Sequence, residues 1–108
     1  MTAEKGFRFA PPDWTPETAR KAARAEHLTL GEDHWDLVRG LQEFYARQTS
    51  APVGLRELQD ALEEKFHHKG GMKYLYTLFP GGPIVQGCRL AGLKVPTGAT
   101  DRGFGSVA

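Results

Sequence analysis

Cysteine is almost missing from this chain. Cys88 is the single thiol among 108 residues. That excludes an internal disulfide and predicts a reducing, cytoplasmic setting. Long apolar runs are missing too. No stretch approaches the ~20 residues that span a bilayer, and the N-terminus has no apolar signal core, so no membrane partner is predicted. Net charge is nearly absent: 14 Lys/Arg against 13 Asp/Glu leave +1. No global field for steering a polyanion follows. Internal repeats and low-complexity segments are absent.

Enzyme signatures are equally scarce. No Ser-His-Asp order is evident, and the acidic residues fall on helix exteriors, so no paired carboxylates are suggested. Gly81-Gly82 and the Gly103/Gly105 pair lack the strand-to-helix context of a nucleotide loop. His67 and His68 are adjacent, and adjacent positions on a helix do not face one ion. His27 and His34 are distant in sequence. Neither a metal site nor a cofactor is predicted.

What is present is a small helical domain. Apolar residues make up 40% of the chain, enough for a modest core at this length. Thr15-Pro16-Glu17 reads as N-cap, first-turn proline and first-turn acid, opening a helix over 16–26, with Trp14 anchoring its entry. Gly31-Glu32-Asp33 opens a second helix over 32–48, with acids at its positive end. There Trp35, Val38, Leu41, Phe44 and Tyr45 recur at helical spacing. It is the longest helix and the expected centre of the core. Gly40 inside it suggests a close helix crossing. Leu55, Leu58, Leu62 and Phe66 mark a third helix over 53–67. A Gly-Gly turn leads to a fourth over 72–79. The Pro80-Gly81-Gly82-Pro83 corner precedes a fifth over 84–90, which carries Cys88 and stops at Gly92. Five unequal helices with short turns predict a mainly α, orthogonal bundle. Residues 1–12 are expected to be an extended segment, 13–93 the helical domain, and 94–108 a flexible arm with Phe104 and Val107 as its sizeable apolar anchors.

Charge is unevenly spread. Residues 1–64 hold 8 Lys/Arg and 12 Asp/Glu, a net −4, while residues 65–108 hold 6 Lys/Arg and a single Asp, a net +5. In the basic half, Lys69, Lys73, Arg89 and Lys94 form a candidate binding patch for a partner protein or nucleic acid. Residues 53–79 also read as a helix-turn-helix, a candidate DNA reader. The same pattern fits an ordinary αα-corner with solvated lysines. The second helix offers only Lys73 and Thr77 as base-reading side chains, and no Arg, Asn or Gln. Cys88 has two readings. It is either a small buried residue packing against Tyr76 or Phe79, or a reactive thiol promoted by Arg89, Lys73 and Lys94. Its place late in a helix, at the negative dipole end, opposes the thiolate. Arg89 points ~100° away around the helix.

Longer strings add a resemblance. Lys73-Tyr74-Leu75-Tyr76, Leu78-Phe79-Pro80, Gly82-Pro83, Gln86, Cys88-Arg89, Ala91-Gly92-Leu93 and Pro96 resemble the DsrC/TusE family of sulfur-relay proteins. Upstream, Asp13-Trp14, Leu28, His34-Trp35-Asp36, Phe44-Tyr45, Ala51-Pro52 and Lys69-Gly70 extend it over about residues 13–98. The resemblance implies the fold, an N-terminal β-hairpin, and a persulfide-carrying cysteine on a C-terminal arm. The hairpin is expected to be reduced or absent here, because only Gly6-Phe7-Arg8-Phe9 precedes Ala10-Pro11-Pro12. Cys88 matches the family's upstream cysteine. The arm cysteine falls at Ala99, and the chain continues beyond it as Asp101 to Ala108. The implied function is an accessory protein docking on sulfur-relay or sulfite-reductase-type partners, or on a tRNA-modification enzyme. The alternatives are a nucleic-acid-binding regulator and a sulfurtransferase using Cys88 alone. The resemblance also implies that His34 is a capping or core-edge residue.

Overall fold

A computed structural model describes residues 6–48 and 53–99. Five helices follow one another: α1 (Pro16–Ala25), α2 (Glu32–Arg47), α3 (Leu55–Lys65), α4 (Gly71–Leu78) and α5 (Pro83–Ala91), with a 3₁₀ turn, His67–Lys69, between α3 and α4. No strand occurs among the described residues. The bundle is mainly α, as the apolar spacing predicts. Each expected helix is present, with its ends within two residues of those expected. Pro83 is the first residue of α5, a position where its missing N–H costs nothing.

The capping chemistry works locally. The Thr15 N–H donates to Thr18 Oγ1 at 3.2 Å at the start of α1. At the start of α2, the Gly31 N–H donates to His34 Nδ1 at 3.1 Å. That leaves the proton on His34 Nε2, which donates to Leu78 O at 3.0 Å. His34 thus caps α2 and ties it to the end of α4. At the end of α5, Gly92 is left-handed with φ 76°. The Leu93 N–H donates to Cys88 O at 2.9 Å and the Gly92 N–H to Arg89 O at 3.4 Å, which is a Schellman stop.

The helix at the centre is α5, not α2. It packs on α1, α2 and α4, and Arg89 is its one residue that is not buried. The reason is Gly87. A Cβ there would lie 2.8 Å from Leu41 Cδ1 and 2.9 Å from Leu37 Cδ2, inside van der Waals contact. Glycine lets α5 settle directly onto α2. The close crossing expected at Gly40 is instead covered by the Lys65 stem, whose Cε would be 3.1 Å from an added Cβ.

The core holds Trp14, Trp35, Leu37, Leu41, Leu58, Leu62, Leu75 and Phe79, all buried, with Phe44 half-buried and packed against them. Trp14 donates its Nε1–H to Leu90 O at 2.8 Å, pinning the domain's entry to its last helix. The described part of the N-terminal segment departs from the extended expectation. Residues 6–13 turn back twice, through Ala10 N–H to Phe7 O and Trp14 N–H to Pro11 O. Phe7 then packs tilted against Trp14 at 4.9 Å and edge-on against Trp35 at 5.6 Å between ring centroids. Burial of that ring is what folds the segment back. The arm's residues 100–108, with Phe104 and Val107, lie outside the described residues.

Candidate functional site

The thiol sits in the last turn of α5. Cys88 is 0% exposed. Its Sγ is 3.7 Å from the Tyr45 hydroxyl oxygen, and that hydroxyl donates to Lys94 O at 2.5 Å. A phenol has one proton, so with it committed to Lys94 the sulfur S–H is the donor toward Tyr45. Burial pushes the Cys88 thiol up to about 11. Tyr45 opposes that shift only if its hydroxyl turns from Lys94 toward sulfur. Burial, and then the contact with Cys88, also raise the Tyr45 phenol above its ordinary range. Neutral, water-free sulfur is a weak nucleophile.

The four cations expected to form a patch are spread over the molecule. Lys69, at the end of the 3₁₀ turn, bonds both oxygens of Asp33 at 2.9 and 3.1 Å. The Tyr74 hydroxyl donates to the same carboxylate. Lys69 first, then Tyr74, hold the Asp33 carboxyl below its ordinary value, and Asp33 in turn raises Lys69. Arg89 reaches Glu26, just past α1, at 3.1 Å. Lys73 is exposed on α4 and Lys94 is exposed after α5. The Lys94 carbonyl accepts from the Tyr45 hydroxyl beside the thiol.

Glu26 was not visible as a partner in the sequence. Its other oxygen accepts from Gln86 Nε2 at 2.8 Å, while Gln86 Oε1 accepts from the Gly81 N–H at 2.9 Å. The buried amide therefore braces the Gly-Gly corner against α1. The sequence-level signal was a glutamine in a helix that otherwise has only one polar residue, Arg89, besides its thiol.

The arm's beginning is held against the bundle. Pro96 is buried, and the Ala99 N–H donates to Pro96 O at 3.2 Å, closing a turn in which Gly98 takes φ 98°. Ala99 packs against the core. It borders a cleft of about 290 Å³ with Leu55, Gln59, Tyr76, Ile84 and Val85. Cys88 does not line that cleft.

The helix-turn-helix expectation meets a mixed geometry. α3 and α4 contact each other across the 3₁₀ turn. Lys73 and Thr77 are exposed on α4, while Tyr74 is bonded to Asp33 on α2. Among the described residues no group of His, Cys, Asp and Glu could hold a metal ion. No helix among them is long and apolar enough to cross a membrane.

A small helical bundle with its one cysteine near the end of the last helix, and with residues 93–99 packed back against the bundle, defines the class. The family described as DsrC like protein matches residues 1–100, and this chain belongs to that family. Sulfurtransferase TusE of Photorhabdus laumondii subsp. laumondii is 38% identical over 96 residues, covering 88% of this chain and 86% of that protein. Sulfurtransferase TusE of Yersinia pseudotuberculosis is likewise 38% identical over 96 residues, covering 88% of each. The NMR structure of Allochromatium vinosum DsrC has a TM-score of 0.68 at 43% identity, covering 90% of this chain and 87% of that one.

Proposed function

We propose that this chain is an accessory protein of sulfur relay, which docks on sulfur-relay partners without itself holding a persulfide. The observation that carries the reading is the state of its one thiol. Cys88 is fully buried, and burial raises its pKa. A sulfur donor requires a thiolate and a line of approach, and the folded chain offers neither. In this reading Ala99 stands where relatives carry the arm cysteine, so the docking turn remains while the chemistry is gone. A cytoplasmic location accompanies the reading.

Intact mass after incubation with polysulfide tests it. Native protein is expected to gain little sulfur, and Ala99→Cys is expected to gain one sulfur at the new thiol. Ala99→Cys with Cys88→Ser should load equally well. If the unaltered chain loads one sulfur rapidly and Cys88→Ser abolishes loading, the single-cysteine sulfurtransferase replaces this reading.

A further inference from the structure

A groove elsewhere on the molecule remains without a role. It lies between residues 6–9 and one flank of α2, with Lys65 of α3 across from them, and encloses about 370 Å³. Arg8, Arg39, Arg47 and Lys65 line it, with Phe9 and Gln42 among them. We propose that this groove binds an acidic peptide segment of a partner protein, one that also carries an apolar side chain.

Charge is the first argument. Arg39 is held by Asp36 at 2.6 Å and Arg47 by Glu43 at 2.7 Å. These pairs fix two guanidinium groups on the rim. Arg8 and Lys65 are exposed and have no carboxylate partner among the described residues. The groove is therefore left with uncompensated positive charge, and carboxylates spaced along a peptide complement it. The interleaved Asp36 and Glu43 work against a dense phosphate chain, which would bring charge up against both.

The second argument is an apolar anchor point. Phe9 is 40% exposed, the one exposed large hydrophobic among the described residues. The Arg47 guanidinium lies 5.7 Å from its ring centroid, and Arg39 lies 5.1 Å from the ring of Phe7. Aromatic rings with stacked arginines are the side chains that anchor protein interfaces.

The third argument is an unmet hydrogen bond. Gln42 is 1% exposed. Its Nε2 donates to Ala91 O at 3.0 Å, which fixes the orientation of the amide. Its Oε1 has no partner among the described residues. A buried acceptor left open is costly, and Gln42 is among the residues that line the groove. This surface is separate from the thiol and from Lys69 and Lys73, so the inference stands or falls apart from the proposed function.

A display library of random heptapeptides, selected on the full chain, tests it. The enriched sequences are expected to combine Asp or Glu with an aromatic or aliphatic residue. Their consensus peptide, measured by calorimetry, should bind about tenfold more weakly to the Arg8→Gln/Lys65→Gln chain, the loss of ~1.4 kcal/mol typical of an interface anchor. Phe9→Ala should weaken it similarly, and Lys69→Gln/Lys73→Gln should leave it unchanged. All four exchanged cations are exposed, and because Lys69 pairs with Asp33, circular dichroism of each variant confirms the fold before binding is compared. Failure to enrich any peptide overturns the proposal, as does a consensus without acids or one that binds the double variant undiminished. Displacement of the peptide by a short single-stranded RNA at lower concentration also overturns it and assigns the groove to nucleic acid.

Discussion

Raising the pH should weaken this fold through one buried sulfur. The folded chain holds the Cys88 thiol protonated up to about 11, whereas an ordinary thiol ionises near 9.0. The folded value is the higher one. Its stabilising contribution is therefore fully present below 9.0 and is lost as the pH rises toward 11, because only the unfolded chain releases the proton in that window. Each pH unit is worth ~1.4 kcal/mol. The whole window therefore removes up to about 3 kcal/mol, a large share of the 5–15 kcal/mol typical of a domain. The assay is urea unfolding at intervals from pH 8 to pH 11, on the unaltered chain and on Cys88→Ala. Lysines and tyrosines titrate in both proteins, so they largely cancel in the difference. The alanine chain should start less stable, and its deficit should shrink as the pH rises. Parallel curves across the window would refute the reasoning, since they would mean that the native thiol ionises as readily as the unfolded one.

Three further outcomes are expected. Trp14→Phe keeps a ring in place but orphans the buried Leu90 carbonyl, and should cost ~1–3 kcal/mol by denaturant unfolding. Leu58→Ala empties a fully buried position and should cost ~2–5 kcal/mol in the same measurement. Asp33 has its carboxyl depressed below 3.8 by Lys69 and Tyr74, so its contribution is present above 3.8 and lost as the pH falls through the depressed value. Asp33→Asn should therefore be less stable at neutral pH, with a gap that closes in acid when both proteins are followed by circular dichroism.

The helices were legible because their apolar spacing is regular. Leu55, Leu58 and Leu62 lie along one face of α3, and the residues that start and stop the helices are strong local signals. Pro16 and Pro83 open helices, and Gly92 closes α5. Trp14 was legible as an anchor, but the carbonyl it bonds, 76 residues away, was not. Gly40 and Gly87 look alike in sequence. Only the tertiary arrangement decides that the Leu37 and Leu41 side chains are pressed against Gly87 while a flexible lysine stem covers Gly40. The readings of Cys88 divided for a similar reason. Local charge on Arg89 and Lys94 argued for reactivity, yet Arg89 is turned to Glu26 and Lys94 presents its carbonyl to Tyr45. Long-range pairing consumed the Arg89 guanidinium, and at Lys94 it is the backbone carbonyl that meets the Tyr45 hydroxyl. The turn at residues 6–13 was missed because Phe7 folds back to reach two tryptophans, a gain no local pattern encodes.

The burial of α5 has a kinetic consequence. A helix clasped by three others cannot swing outward alone, so uncovering its sulfur requires the surrounding contacts to open together. Under rapid reclosing, the rate at which an alkylating reagent marks Cys88 is set by the population of the opened chain. The thiol is thus an internal clock of cooperative unfolding, placed by the fold where only the loss of the fold can start it.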